Sequence, residues 1–492
     1  MIVVESNLYA KSHSDDARWA KRVVANPVTI ENLMKYLGIR LALGLSRSQE
    51  LKDMYSRSLP YNFQACQVLG RRNFEDIHSS LHCQSDTTTP PTPINPNAQL
   101  GGKYQVLNEP KVGRVLELFS KSCANCKYFS FSQHLSLDEM VVRFQGRSTR
   151  VYSRLPKPTS EGIKIVAITD FNGFLIDFIV EQGPGKSLGI HAMVVELCSK
   201  LNKGHIVYMD NLYTSVKTAL ELAKMEIFVV GTMRAKHGLP DVTTLNLENP
   251  SDGDYNCVMS DIESQKSLIL GLWKDSGIVK FLSTAHNGEE TKVLRRSVGH
   301  KDRVERKAPQ AMADYNMYMH GNDRADQKRT SYSIQIKSIK WWKTIFNWMF
   351  DQAAINAHLL YLQRFEGQMD RKEFMLILCK SLCKIENSEN EEFYDEKHLQ
   401  SQSEVYQHID GLKYQMTGNH FLGSVNDFST RFPDKGLKKS GDNCMVCMLL
   451  GLKKRALFYC IGCEDYFHQN CHYLYHTKTK IFLDQEQKIC GE

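Results

Sequence analysis

From about residue 28 to residue 82 the apolar positions fall at three- and four-residue spacing, in VTIENLMKYLGIRLALGL and again in RRNFEDIHSSLHC. That spacing predicts helices, with Thr29 and Asn32 as capping chemistry at the start of the first. QSDTTTPPTPINPNAQLGG, rich in Thr, Pro and Asn, reads as an exposed loop, and PKVGRVLELFSKSCANC returns to helix. The period then shortens. MVVRF, IKIVAIT, FLIDFIV, HIVYM and IFVVGTM are short β-branched or aromatic runs, with GIHAMVVELCSKL and SVKTALELAKM as helices between them. TDFNGF joins two of the strands as a turn, with Asp170 as a turn residue. Strand, strand, strand, helix, strand, helix, strand is the order of an α/β domain with a mixed sheet.

Further strand-like runs (YNCVMS, SLILGLW, GIVKFLS, TKVLRRS) fill residues 241–305 and read as a β-rich insertion. Helix resumes in SIKWWKTIFNWMFDQAAINAHLLYLQRF, where Trp341, Ile345, Trp348, Ile355 and Leu359 form a stripe. Residues 384–405 are polar and acidic and read as a linker, and the last 50 or so residues form a separate Cys/His module.

With 492 residues, the chain can hold two to four domains. A net charge of +7 permits a nucleic-acid partner without requiring one. No run of 18 apolar residues is present, so no spanning helix is expected. The opening MIVVESNLYAKSHSDDARWAK has charges throughout and no apolar core, which argues against secretion. Six of the 14 cysteines lie from Cys444 onward, mixed with histidines, which points to metal binding in the cytosol or nucleus and away from a disulfide framework.

The candidate chemistry lies in acidic stations: Asp138 in SLDEMVVRFQGRS, Asp210 in HIVYMDNLYTS, and Asp323 with Asp326 in GNDRADQ. Asp323 and Asp326 are three apart, so on a helix they share one face. Asp210 follows an apolar run and so stands at the carboxyl end of a strand, where open α/β sheets bind ligands. Gathered carboxylates are costly unless cations neutralise them, and hard oxygen ligands select Mg²⁺ or Mn²⁺. Two such ions about 3.5–4 Å apart are the usual device for in-line phosphoryl displacement. One aspartate alone would more commonly be a turn or a cap. On a strand Asp138 and Glu139 face opposite sides, and spacing does not choose between them.

The chain resembles piggyBac-type transposases and their domesticated relatives, from roughly residue 3 to residue 480. SLDEMVVRFQGRS followed by SRLPKPTSEGIKIVAITDFNGF resembles the family's first-aspartate block. YMDNLYTS with VVGTMRAKHGLP resembles its second, and ADYNMYMHGNDRADQ the stretch carrying the last aspartates. The resemblance selects Asp138 over Glu139. It implies Asp138, Asp210 and Asp323 as catalytic metal ligands, with Asp326 as an accessory aspartate. It also implies a fold: an RNase H-like core (136–240 and 306–370) interrupted by the β-rich insertion (241–305). A helical N-terminal dimerisation and DNA-binding region (1–135), a helical or linker region (371–430) and a C-terminal zinc domain (431–480) complete it.

Trp341, after Lys337 and Lys340, matches the family's tryptophan beside the active site, a stacking platform for an unpaired base. A place in the core of its amphipathic helix is the equal alternative, and Trp342 and Trp348 read as core. Arg143, Arg147, Arg150, Arg154 and Lys157 are candidates for the DNA backbone, or else a solvated charged face. Asn322 and His320 depart from the resemblance: a small apolar residue is usual before the third aspartate, and the stretch is usually glycine-rich. The long acidic N-terminal extension common in these transposases is absent from the sequence.

In the C-terminal module Cys444-x2-Cys447, Cys460-x2-Cys463 and His468-x2-Cys471 are knuckles of soft ligands. Such pairs build tetrahedral Zn²⁺ sites, and two structural sites need eight ligands. His476, in a YLYHT block that resembles the family's, is the seventh. The eighth is His420 or His472. Cys123-x2-Cys126 has no second knuckle nearby and reads as coincidence.

The expected function is a metal-dependent DDD transposase, cutting double-stranded DNA at transposon ends and joining it to TTAA targets through a hairpin. The expected partners are DNA and a second copy of the chain, with no membrane, in the nucleus. A domesticated DNA-binding protein without mobilising activity is the alternative. A chromatin reader acting through the zinc module is a third, and the presence of all four aspartates favours the first.

Overall fold

The computed structural model describes residues 1–46, 55, 68–83, 111–126, 128–146, 148, 151–152, 161–181, 189–234, 247, 249–262, 266–296, 303–336, 338–365, 369–384, 422–424, 441–449, 453–460 and 465–467. Among the described residues five helices come first: α1 (Ile2–Ser12), α2 (Arg18–Ala25), α3 (Ile30–Ser46), α4 (Arg71–Ser80) and α5 (Gly113–Ala124). Thr29 caps α3 as its spacing predicts, its Oγ1 accepting from the Asn32 amide at 3.1 Å.

The sheet follows. Its strands are β1 (His134–Arg143), β2 (Val151–Tyr152), β3 (Gly162–Asp170), β4 (Leu175–Val180), β5 (Ile206–Met209) and β6 (Phe228–Thr232), with α6 (Ile190–Cys198) and α7 (Val216–Lys224) as crossovers. β3 pairs antiparallel with β1 and with β4, while β1, β5 and β6 run parallel. Parallel neighbours need a crossover, and α6 and α7 supply it.

Residues 255–283 form β7 (Tyr255–Ile262), β8 (Lys266–Lys274) and β9 (Ile278–Ser283). β9 pairs antiparallel with β6, so these strands extend the central sheet. β10 (Glu290–Arg296) and β11 (Arg303–Pro309) make a separate two-stranded ribbon. The result is a mixed α/β fold around one large mixed sheet.

Side-chain alternation on β1 divides the core. Met140 and Val142 join Ile163, Ile165 and Ala167 of β3 in one cluster, with Trp342, Ile345 and Phe346 of α10 (Trp341–Phe365). Leu135 and Leu137 join Val166 and Ile168 on the other face, beneath Val194 and Leu197 of α6 and Leu222 of α7. Trp342 and Trp348 are buried, as expected of core residues, and Trp348 meets Phe178 edge-on with centroids 4.9 Å apart. Asn356 of α10 closes the start of β4: it accepts from Leu175 N at 2.8 Å and donates to Leu175 O at 2.9 Å. TDFNGF is a turn: Gly173 (φ +95°) donates to Asp170 O, and Asp170 Oδ1 accepts from Asn172 N.

α8 (Gln310–Tyr318) and α9 (Gly321–Ser331) then lie on the sheet, and α11 (Arg371–Cys383) packs on α3. The C-terminal module contains α12 (Met445–Leu449) and the short strands β12 (Leu422–Ser424), β13 (Asp442–Asn443), β14 (Arg455–Ala456), β15 (Phe458–Cys460) and β16 (Asp465–Phe467). Among the described residues no helix is long and apolar enough to cross a membrane.

Candidate functional site

The parallel register of β1 and β5 pairs Ser136 with Tyr208 and Leu137 with Met209. The next step brings Asp138 abreast of Asp210, at the carboxyl end of β5, on strands about 4.8 Å apart. Asp138 shares a face with His134 and Ser136. Along that face β1 meets the α8–α9 connection step by step. His134 stacks on Tyr318 with centroids 3.8 Å apart, Ser136 Oγ donates to Met319 O at 2.5 Å, and Asp138 O accepts from Asn322 Nδ2 at 2.7 Å.

Asp323 and Asp326 both stand on α9, Asp323 immediately after Asn322. Arg324 and Lys328 of α9 donate to the carbonyls of Phe171 and Asn172 in the β3–β4 turn. The side chain of Asp323 is 55 % exposed, and its Oδ2 lies 3.2 Å from Nδ1 of His320. Asp326 accepts from Arg329 Nε at 3.1 Å.

Glu139, on the opposite face of β1, accepts from the Tyr213 hydroxyl at 3.0 Å. Burial pushes the Asp210 carboxyl above the usual carboxylate range. The Leu212 amide, which donates to Oδ1 at 2.7 Å, opposes that shift, and the charge of Glu139 adds to it. Arg234, whose Nε donates to Asn211 Oδ1 at 2.8 Å, is the nearby cation that lowers it. Tyr315 of α8 is pushed up to about 12, by burial first, with the charges of Asp210 and Asp138 both contributing. Asp138, Glu139, Asp210 and Tyr315 thus share one electrostatic neighbourhood.

Among the described residues no three His, Cys, Asp or Glu side chains stand close enough together to hold a metal ion. The donor chemistry nevertheless fits a hard divalent cation. Asp138 and Asp210 offer carboxylates on adjacent strands, and Asp210 is partly desolvated beside a like charge, the strain a cation relieves.

Trp341 begins α10, half-buried against the N-terminal core. Lys340 Nζ sits 5.5 Å from the ring centroid of Tyr9 in α1. Arg143 is exposed at the end of β1. Arg147, Arg150, Arg154, Lys157 and Lys337 lie outside the described residues.

Cys444, Cys447 and Cys460 are buried together with Ala456 and Phe467 in the C-terminal module. So small an apolar cluster does not hold a domain by itself, and buried thiols in it suit a structural metal. Cys463, His468, Cys471, His472, His476 and His420 lie outside the described residues. Cys123 is buried in the core, its sulfur 3.5 Å from Asn356 Nδ2.

Sequence reasoning passed over Tyr213, Tyr315 and Arg234 and read Asn322 only as a departure. Tyr213 lies three residues after Asp210 in DNLYTS, which is its one sequence signal. The other two reach the site through long-range packing, which leaves no local signal.

A family model described as Transposase IS4 matches residues 1–358. The human PiggyBac transposable element-derived protein 2 is 26% identical over 377 residues, covering 73% of this chain and 58% of that protein. The human PiggyBac transposable element-derived protein 3 is 24% identical over 494 residues, covering 97% of this chain and 74% of that protein. The chain therefore spans little more than half the length of the first relative. Among solved structures, a cryo-EM structure of a piggyBac transposase synaptic complex with hairpin DNA matches with a TM-score of 0.61 at 20% identity. That match covers 95% of this chain and 91% of the other, a likeness of fold.

Proposed function

Because the chain belongs to the Transposase IS4 family and is of piggyBac type, we propose that it is a DDD-type DNA strand transferase acting on double-stranded DNA. The observation that carries this reading is the register that sets Asp138 abreast of Asp210 under the helix that bears Asp323. The strand order β4-β3-β1-β5-β6, antiparallel then parallel, supports reading the sheet as an RNase H-like core, in which residues 241–305 would be the insertion.

Asp138, Asp210 and Asp323 would hold Mg²⁺ or Mn²⁺, with Asp323 leaving His320 to join them and Asp326 supporting from the next turn. The bound cation would activate water or a 3′-hydroxyl and stabilise the leaving oxygen. No protein nucleophile is required. Tyr315, near enough to feel the charges of Asp210 and Asp138, keeps its phenolic proton at neutral pH and would donate a hydrogen bond to a phosphate oxygen. Arg143, Lys337 and Lys340, with Arg147, would hold the DNA backbone. Cleavage at transposon ends, a hairpin intermediate, joining at TTAA, a homodimer, two structural Zn²⁺ and a nuclear location belong to the same reading.

The test is strand cleavage in Mg²⁺ by the Ala variants of Asp138, Asp210, Asp323 and Asp326. The first three should lose a hundredfold or more, roughly, while DNA binding persists, since phosphate contacts dominate affinity. Surviving cleavage in Asp210→Ala overturns the reading. The relatives are transposable element-derived proteins, which favours a second reading: a DNA-binding protein without mobilising activity. Wild-type DNA binding without cleavage would establish it.

A further inference from the structure

Asn322 is the second residue of α9 and is 2% exposed. Its Nδ2 donates to Asp138 O at 2.7 Å and to Ala167 O at 2.9 Å, and its Oδ1 accepts from Thr169 Oγ1 at 2.6 Å. Asp138 and Ala167 are partners across the β1–β3 ladder. One carboxamide therefore ties the first turn of α9 to both strands at the level of Asp138. Both its donors and its acceptor are used, so the group is buried without an unmet hydrogen bond. The register of β3 on β4 shifts between Ile168 and Thr169, a bulge of the kind that re-aims a side chain.

We propose that Asn322 is a positioning residue: its amide fixes where α9 rests on the β1–β3 pair, and so where Asp323 stands relative to Asp138 and Asp210. This rests on the metal-dependent strand-transferase reading above. An apolar side chain could fill the space but would leave α9 free to slide or turn. Small octahedral cations tolerate little ligand misplacement, so looseness here weakens metal binding before it unfolds the chain. The hydroxyl of Thr169 selects the amide orientation, with nitrogen toward the strand carbonyls.

The experiment is titration of the full chain with Mn²⁺, followed by electron paramagnetic resonance, for wild type, Asn322→Leu, Thr169→Val and Thr169→Ser. Melting temperatures and Mn²⁺-dependent nicking of supercoiled plasmid are measured alongside. Asn322→Leu should weaken Mn²⁺ binding about tenfold or more, the range of lost second-layer contacts. Its nicking rate should recover largely at saturating Mn²⁺. Thr169→Val should show a smaller loss in the same direction, and Thr169→Ser should recover most of it, which keeps the test sound if Asn322→Leu misfolds. Unchanged Mn²⁺ affinity in folded Asn322→Leu or Thr169→Val overturns the positioning role alone. So does a loss that saturating Mn²⁺ leaves untouched and a lowered melting temperature accompanies. A wild-type chain that neither binds Mn²⁺ nor nicks DNA overturns the strand-transferase reading, and this role with it.

Discussion

Gly321 lies so close to Thr169 that a Cβ on it would stand 2.5 Å from Thr169 Oγ1 and 2.7 Å from Asp170 O. Only glycine lets the first turn of α9 settle onto β3. Gly321→Ala should therefore lift the helix start, at a cost of about 1–3 kcal/mol in stability. Cation affinity and cleavage should fall with it, because Asn322 and Asp323 ride on the same turn. Thermal melting with Mn²⁺ titration checks this, and wild-type values in both would remove the tight seating from the account.

At the start of α10, Trp341 is half-buried while Trp342 beside it is 2% exposed. If its exposed part stacks on an unpaired base, Trp341→Ala should slow hairpin formation far more than first-strand nicking. A stacked base contributes about 1–3 kcal/mol, and Phe should restore much of it. Equal losses in nicking, hairpin formation and melting temperature would make Trp341 a core residue.

Lys343, the residue after Trp342, is buried with its ammonium donating to His78 O. Burial first, then Lys340 and Arg40, lower it from 10.5 to about 7. Between those values the unfolded chain holds the proton and the folded chain releases it, so unfolding takes up a proton and stability rises with pH. Below about 7 both states are charged and the burial cost is fully felt. Melting temperature should climb from about pH 7 to about pH 9, by up to about 1.4 kcal/mol per unit in stability from this group. Lys343→Met should flatten that climb; an unchanged slope would show that Lys343 stays charged.

For the C-terminal module, metal analysis of the full chain should find about two Zn²⁺. Chelation should unfold this module while leaving the central sheet intact, because ligand binding there supplies folding energy. One Zn²⁺ per chain would remove His420 and the paired-site arrangement.

Much of this architecture is written locally. Short β-branched runs mark β1 and β3 as strands, the three-four spacing marks α3 and α10, and Thr29 and TDFNGF mark a cap and a turn. These depend on neighbours a few residues apart, which a sequence records directly. The i, i+3 spacing of Asp323 and Asp326 likewise belongs to one helix whatever surrounds it.

What tertiary structure alone decided is which elements meet. Alternation says that Asp138 and Glu139 face opposite ways. Only the pairing of β1 with β5 puts Asp138 beside Asp210, and only the turn that follows β5, packed on the other face, gives Glu139 the Tyr213 hydroxyl. The runs in residues 255–283 read as strands, but the pairing of β9 with β6 made them part of the central sheet. Asn322 looked like a local oddity because its partners Asp138, Ala167 and Thr169 lie more than 150 residues away. Strand registry and helix seating are settled by shape and hydrogen bonding among distant segments, and no short window of sequence contains both sides of such a contact.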